Sequence, residues 1–397
     1  MVQTNNVKQK PVVLIDQRFG EMKSSKILHR EVSKYGWQLF NLSTTKDFLP
    51  KTLPIVGALI QHSAEHPVVK MLKEKDIPYV RIGNFPSFFY EIEKATSVAI
   101  NIAKCGHIAA KFFSERGFNH LAYIGSNTME NGVGLYDTFV QSADSFGCKV
   151  HLLKIANAKG SSKSEKELYH NQTAKKITDW LAKLPKPVGL LTYSDPLACR
   201  YISYCLDAGL DVPTDVAVLG IGNSSFICEA SAVPISSIDL PWSEMWIDSL
   251  KQLKQIVKGK ITKPVIKFID PSFVYERSST EIIGLDNPIV KKGVQFIWQN
   301  YTSNIGVDDL MKSTGASRRS LQINFQNSLG RGINEEIVKK RLDVAKRLLL
   351  NTDITIYDVA LKCGYNSSNY FNKAFLKSFK CSPLEYRKKN KDKLNLE

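Results

Sequence analysis

No stretch of this sequence is long and apolar enough to cross a membrane or to form the core of an export signal. Met1–Lys10 is polar, and the apolar run behind it, Val12–Ile15, is far too short. A cytoplasmic, nucleoid-associated protein without a membrane partner is expected. Cysteine is sparse and unorganised: the seven residues (Cys105, Cys148, Cys199, Cys205, Cys228, Cys363, Cys381) are odd in number and scattered, with no Cys-x-x-Cys pair and no matching histidine pair. That argues against both a disulfide framework and a zinc site. Also missing are a Gly-x-Ser-x-Gly elbow, a phosphate-binding Gly-Lys-Ser/Thr loop and a His-Glu-x-x-His helix, while the 7 histidines are dispersed. No catalytic residue, metal or cofactor is expected.

Acidic charge is in deficit as well, with 38 Asp+Glu against 54 Lys+Arg for a formal net charge of +16. A basic surplus of that size fits a polyanionic partner. It is concentrated toward the end: from Leu285 onward 20 basic residues face 11 acidic ones.

What is present is an ordinary globular composition, 43% hydrophobic and 10% aromatic, in a chain of 397 residues that exceeds what one core usually serves. From Pro11 to about Ser236 short β-rich runs alternate with helical patterns, the mark of stacked βαβ units and parallel sheets. Strands are expected at Val12–Asp16, Trp37–Leu42, Val56–Gln61 and Tyr79–Gly83, then at Leu121–Gly125, Val150–Ile155, Val188–Tyr193 and Val216–Ile221. Between the two sets, Glu93–Arg116 is expected to be helical and broken near Gly106. A tail follows: a strand at Ser236–Leu240, an amphipathic helix from Trp242 to Val257 ending at Gly259, and a strand within Val265–Tyr275. This is an α/β bilobed sensor with its ligand cleft between the lobes, at the carboxyl ends of the strands.

After a polar linker and the turn Asp286–Asn287–Pro288 only helical patterns remain. Ile289–Tyr301 is amphipathic, and Val307–Leu321 reads as a short helix, a turn at Gly315 and a second helix capped by Ser317 with Leu321 and Phe325 on its buried face. A longer helix, Glu335–Leu350, separates this from a second unit, Ile356–Tyr365 then Ser367–Phe379, with Phe371, Phe375 and Phe379 in i, i+4, i+8 spacing. Two helix-turn-helix units in the most basic part of a chain point to DNA. With the ending Ser382–Pro383–Leu384–Glu385–Tyr386–Arg387, the segment resembles the AraC/XylS-type DNA-binding domain.

By position in that motif, the resemblance implies that Arg318, Arg319, Gln322 and Ile323 of the first recognition helix and Asn369, Asn372 and Lys373 of the second face the major groove. Arginine and lysine suit guanine edges, and asparagine and glutamine suit adenine. Each of them either reads a base or touches only phosphate and solvent. Lys339, Lys340, Arg387, Lys388 and Lys389 look like phosphate contacts or a solvated tail.

A two-lobed module ahead of such a domain resembles the xylose operon regulators, whose sensor has the LacI/GalR and periplasmic-binding-protein fold. The supporting motifs are Tyr193–Ala198, Val218–Asn223, Pro234–Ile238 and Val274–Thr280. The resemblance implies an effector-binding domain over 11–280 (lobe 1 about 11–104 and 239–262, lobe 2 about 105–237 and 263–280), a linker over 281–289 and the reader over 290–390. It implies effector contacts from Asp16, Arg18, Asp195 and Asn223, with Tyr136 and Trp242 packing on a sugar face. Asp195, directly before Pro196, serves either as a helix cap alone or as cap and ligand. Two charged groups common in sugar-binding relatives are replaced here by Gly222 and Leu135, so weak or absent xylose binding is expected. The implied partners are double-stranded promoter DNA, a small-molecule effector, a second copy of the chain in a homodimer and, for an activator, RNA polymerase. Two further classes compete with this reading: a DNA-repair alkyltransferase fused to an AraC-type domain, opposed by the missing cysteine nucleophile motif, and a sugar-scavenging binding protein, opposed by the DNA-binding tail.

Overall fold

The computed structural model describes residues 10–15, 22–42, 53–61, 66–83, 95–126, 134–155, 163–282, 287–352 and 354–394. Along the first part run β1 (Val12–Ile15), α1 (Met22–Ser33), β2 (Gln38–Asn41), β3 (Ile55–Ile60), α2 (Pro67–Glu74), β4 (Tyr79–Gly83), β5 (Ser97–Ile100) and α3 (Ala103–Ser114). Then come β6 (His120–Ser126), α4 (Leu135–Ser145), β7 (Lys149–Ile155), α5 (Lys163–Lys183), β8 (Val188–Leu191), α6 (Asp195–Asp207), β9 (Val216–Gly222) and α7 (Ser225–Ala230). The sensor closes with β10 (Ser236–Asp239), α8 (Trp242–Val257), β11 (Ile266–Ile269) and β12 (Val274–Tyr275).

These strands form two six-stranded sheets, ordered β11-β5-β4-β3-β1-β2 and β12-β10-β9-β8-β6-β7, parallel throughout except for β12. Every residue of β1, β5 and β8 is buried, as strands covered on both faces must be. The chain passes between the sheets three times, after β5, after β10 and after β11. The second and third passages are tied together, Asp239 N–H donating to the Phe273 carbonyl (2.8 Å) and Ser272 N–H to that of Asp239 (3.1 Å).

Two expectations are corrected. The segment expected to be helical from Glu93 contains the strand β5, and its helix begins only at Ala103. Gly106 does not break that helix. It lies buried within α3 because α4 crosses there, so closely that a Cβ would come 2.5 Å from the Leu135 carbonyl oxygen and 2.6 Å from the Phe139 nitrogen. Second, Val265–Tyr275 is two strands in different sheets. β11 pairs with β5, so residues 266–269 belong with the first sheet and not with the second lobe.

The rest is helical: α9 (Pro288–Asn300), α10 (Val307–Thr314), α11 (Arg318–Leu329), α12 (Ile333–Asn351), α13 (Ile356–Lys362), α14 (Ser368–Phe379) and α15 (Pro383–Leu394). Two apolar clusters hold it. One joins Val290, Val294, Ile297, Leu310, Leu321, Phe325, Ile333 and Ile337, and the other joins Leu342, Ala345, Leu349, Val359, Phe371 and Phe375. α12 therefore feeds one end into each cluster. Its 19 residues span roughly 28 Å at 1.5 Å per residue, close to the ~34 Å of one DNA turn.

Candidate functional site

The two helical units are copies displaced by fifty residues. Ser317 caps α11 by accepting from Ser320 N–H (3.3 Å), and Ser367 caps α14 by accepting from Asn369 N–H (3.2 Å). Leu321 and Phe325 in α11 correspond to Phe371 and Phe375 in α14, all with no exposed surface. Both recognition helices end on a left-handed residue, Gly330 (φ +66°) and Lys380 (φ +57°). Each is followed by a helix whose acidic third position accepts from the cap backbone N–H: Glu335 from Gly332 (2.8 Å) and Glu385 from Ser382 (2.8 Å).

Burying one face of each recognition helix turns the opposite face outward. Arg318, Arg319, Gln322 and Ile323 are exposed along α11, and Asn369, Asn372 and Lys373 along α14. The seven sequence-derived DNA residues thus form two short polar stripes. Arg318 is also tied to its own unit by an ion pair with Asp308 (2.6 Å). Ile323, 49% exposed, is an apolar side chain in the midst of polar ones, and thymine methyl groups are what such a side chain can meet in a major groove. Tyr370, 73% exposed beside Asn369, was missed in the sequence. Its signal was the fifty-residue register, which aligns it with Ser320.

Three of the basic residues read as phosphate contacts or a solvated tail have partners within the chain. Lys339 pairs with Asp343 (3.3 Å) and Glu115 (3.7 Å), Lys340 sits 4.2 Å over the Trp298 ring, and Arg387 donates to the Leu349 carbonyl at the end of α12. Lys388 is exposed. The Lys389 side chain lies outside the described residues.

In the sensor, Asp16 and Arg18 lie outside the described residues. Asp195, 1% exposed, is the first residue of α6, directly behind Ser194 at the N-cap position. Its carboxylate accepts from Ser237 Oγ (2.5 Å) in β10 and from Ser224 N–H (2.8 Å) after β9, tying three strand ends together. Burial pushes its pKa up, opposed by the bonds from Ser237 and Ser224. The cap expectation fails because Ser194, not Asp195, stands at the N-cap position of α6. Asn223, left-handed at φ +52°, donates to Asp239 (3.0 Å) and accepts from Arg277 (3.0 Å), so it braces the second passage between lobes. Asp239 and Arg277 were also missed: Arg277 lies in the motif Val274–Thr280, and Asp239 ends β10 one residue beyond the motif Pro234–Ile238. Tyr136 packs with its ring tilted 36° to that of Tyr123 at 5.5 Å, and Trp242, half-buried at the start of α8, packs on the apolar core.

The two departures are structural as well. Gly222 has φ +127° and a Cβ there would lie 3.1 Å from Asp195 Oδ2, so an aspartate would be strained and set against a like charge. Leu135 is buried in the apolar core. Among the described residues no cluster of three or more His, Cys, Asp or Glu could hold a metal, and no helix is long and apolar enough to cross a membrane.

Residues 110–280 match the family described as periplasmic binding protein-like domain, and residues 310–389 match the helix-turn-helix domain family. An uncharacterised helix-turn-helix-type transcriptional regulator of Pseudoalteromonas carrageenovora is 30% identical over 113 residues, covering 28% of this chain and 67% of that protein. The chain belongs to the helix-turn-helix transcription regulators. Upstream of its AraC-type reader the regulator carries a periplasmic-binding-protein-like sensor, and the likeness extends along most of its length. The xylose operon regulatory protein of Haemophilus influenzae is 25% identical over 342 residues, 84% of this chain and 85% of that one. A solved structure of a xylose-binding transcription activator shares the fold over 96% of the regulator and 98% of its own chain, with a TM-score of 0.58 at 21% identity.

Proposed function

We propose that this regulator controls a sugar-utilisation operon, binding promoter DNA through α11 and α14 while an effector of the sugar class sits between the sensor lobes. The observation that carries the reading is the pair of outward polar stripes on duplicated units, joined by a helix of about one DNA turn. The sensor ahead of them, with relatives named as xylose operon regulators, supplies the effector class. The regulator acts without chemistry of its own, as a homodimer in the cytoplasm at the nucleoid, recruiting RNA polymerase where it activates. Arg319, Gln322 and Ile323 with Asn369, Asn372 and Lys373 read bases, and Arg318 and Tyr370 flank them.

D-xylose itself is a poor fit. A charge-assisted hydrogen bond to a sugar hydroxyl is worth roughly 1.5–3 kcal/mol, and Gly222 and Leu135 supply none. Losing both weakens a site by about two to four powers of ten. The test is titration of promoter DNA with the full chain at two salt concentrations, with and without D-xylose and a panel of other pentoses, hexoses and sugar acids. Affinity is expected to fall steeply with salt, to respond to one of the panel and to ignore xylose at micromolar concentration. Arg319→Ala should lose about 1–3 kcal/mol of discrimination at one base pair, where Lys388→Ala weakens all sequences alike. Salt-independent binding, or an equal loss on operator and random DNA for Arg319→Ala, removes the assignment of α11.

A further inference from the structure

The copies differ at one turn, and the difference faces the sensor. Between α11 and α12 stands Arg331, flanked by Gly330 and Gly332. Its guanidinium makes three contacts: Nη1 donates to the Leu329 carbonyl at the end of α11 (3.1 Å), Nε meets the carboxylate of Glu336 in α12 (2.5 Å), and Nη2 donates to the Glu115 carbonyl (2.9 Å). Glu115 is the residue that closes sensor helix α3. A fixed planar fork thus joins the exit of the first recognition helix, the connecting helix and a helix end in the second lobe. Fifty residues on, the matching position is Cys381, which has no such fork.

The surroundings fit a joint rather than a chance touch. Glu336 is 4% exposed, and a buried carboxylate needs its partner. Lys339 reaches Glu115 from α12 (3.7 Å), and Arg116, buried on the sensor side, is held by Glu276 (2.6 Å) and lies over Phe112 at 3.6 Å. The space enclosed by Arg116, Glu276, Arg331, Glu336, Lys339 and Asp343 is about 20 Å³, enough for a single water. Past this joint the fit opens: a groove of about 1150 Å³, bordered at one end by Arg331, runs along α12 and between His107, Phe112 and Phe273 of the sensor and Lys377 and Phe379 of α14. The first unit is clamped to the sensor, and the second is reached chiefly through α12.

We propose that Arg331 is the positioning residue through which the second sensor lobe sets the direction of the first recognition helix, so that movement between the lobes reaches the first unit ahead of the second. This rests on the DNA-reading role given above. The test uses the full chain with Cys199 and Cys381 replaced by serine and spin labels on Arg200→Cys in the sensor and Asn327→Cys in α11, both exposed. Pulsed electron resonance should give one narrow label-to-label distance in the parent, a broadened one in Arg331→Gln at unchanged helix content, and an intermediate width in Arg331→Lys, which keeps the charge but not the fork. An equally narrow distance in Arg331→Gln overturns the proposal. If that variant loses helix content, Arg331→Lys decides by the same criterion. Footprints of the same proteins on promoter DNA supply the second readout: Arg331→Gln should lose protection over the segment that Arg319→Ala also affects while keeping the segment that Lys373→Ala affects. Loss over both segments alike, or over neither, counts against the proposal. A broadened distance in a chain that protects no DNA leaves the joint standing and removes the DNA-reading role.

Discussion

At the scale of single residues, Asp195 shows how a side chain read as a helix cap alone, or as cap and ligand, comes to brace neighbouring strand ends. Its position after a strand and directly before a proline carries no sign of those partners. In the fold one oxygen takes the Ser237 hydroxyl and the other the Ser224 amide. Removing the carboxylate leaves both donors buried without an acceptor, so Asp195→Ala should cost about 2–4 kcal/mol in urea unfolding. Asp195→Asn, which can still accept from the amide and relieves the cost of a buried charge, should cost well under half of that. An Ala variant of unchanged stability that no longer responds to effector would restore the ligand role. Sequence alone did not separate these outcomes because the partners lie 29 and 42 residues further on. The recognition-helix residues were legible by contrast, since their exposure follows from the burial of Leu321, Phe325, Phe371 and Phe375 a turn away on the same helices.

Among elements, α3 is where the sequence pattern misled. The apolar positions of Glu93–Arg116 gave a poor helical period because the window joins two elements, a strand buried on both faces and a helix whose exposed stripe of Lys104, His107 and Lys111 begins only after Ala103. Gly106, which in sequence reads as a helix break, admits the backbone of α4. Gly106→Ala weighs the two ideas against each other. Helix propensity favours alanine by about 1 kcal/mol, while a Cβ 2.5 Å from a carbonyl oxygen forces backbone apart and costs about 1–3 kcal/mol or more. A net loss of stability is expected in thermal unfolding, and a gain would mean that α3 and α4 do not cross so closely. The remaining helices were readable, since α9 to α14 carry caps, turns and apolar spacing locally, whereas the pairing of β11 with β5 spans 169 residues and leaves no local trace.

For the whole molecule, the charges between sensor and reader make the joint sensitive to acid. Burial alone would raise the Asp343 carboxyl, but Lys339, Lys346 and Arg116 more than reverse this and hold it at about 2, against 3.8 ordinarily. A carboxylate with a depressed folded pKa contributes stability above its unfolded value and loses it as the pH falls through the folded one. Asp343 should therefore supply about 2–3 kcal/mol at neutral pH that disappears between pH 3.8 and about 2. Urea midpoints at pH 5 and pH 3 should fall further apart in the parent than in Asp343→Asn. Equal losses in the two proteins would mean that Asp343 is not held by those cations.

The late arrival of β11 also governs how the chain is made. A ribosome delivers β5 long before residue 266, so the first sheet leaves the exit tunnel with the edge of a fully buried strand still open. At common synthesis rates that edge waits on the order of ten to thirty seconds for its partner. Nascent chains stopped in that interval present an unpaired strand to one another. The sensor thus completes itself only shortly before the reader appears, and its newborn first lobe is the part of the molecule most in need of a chaperone.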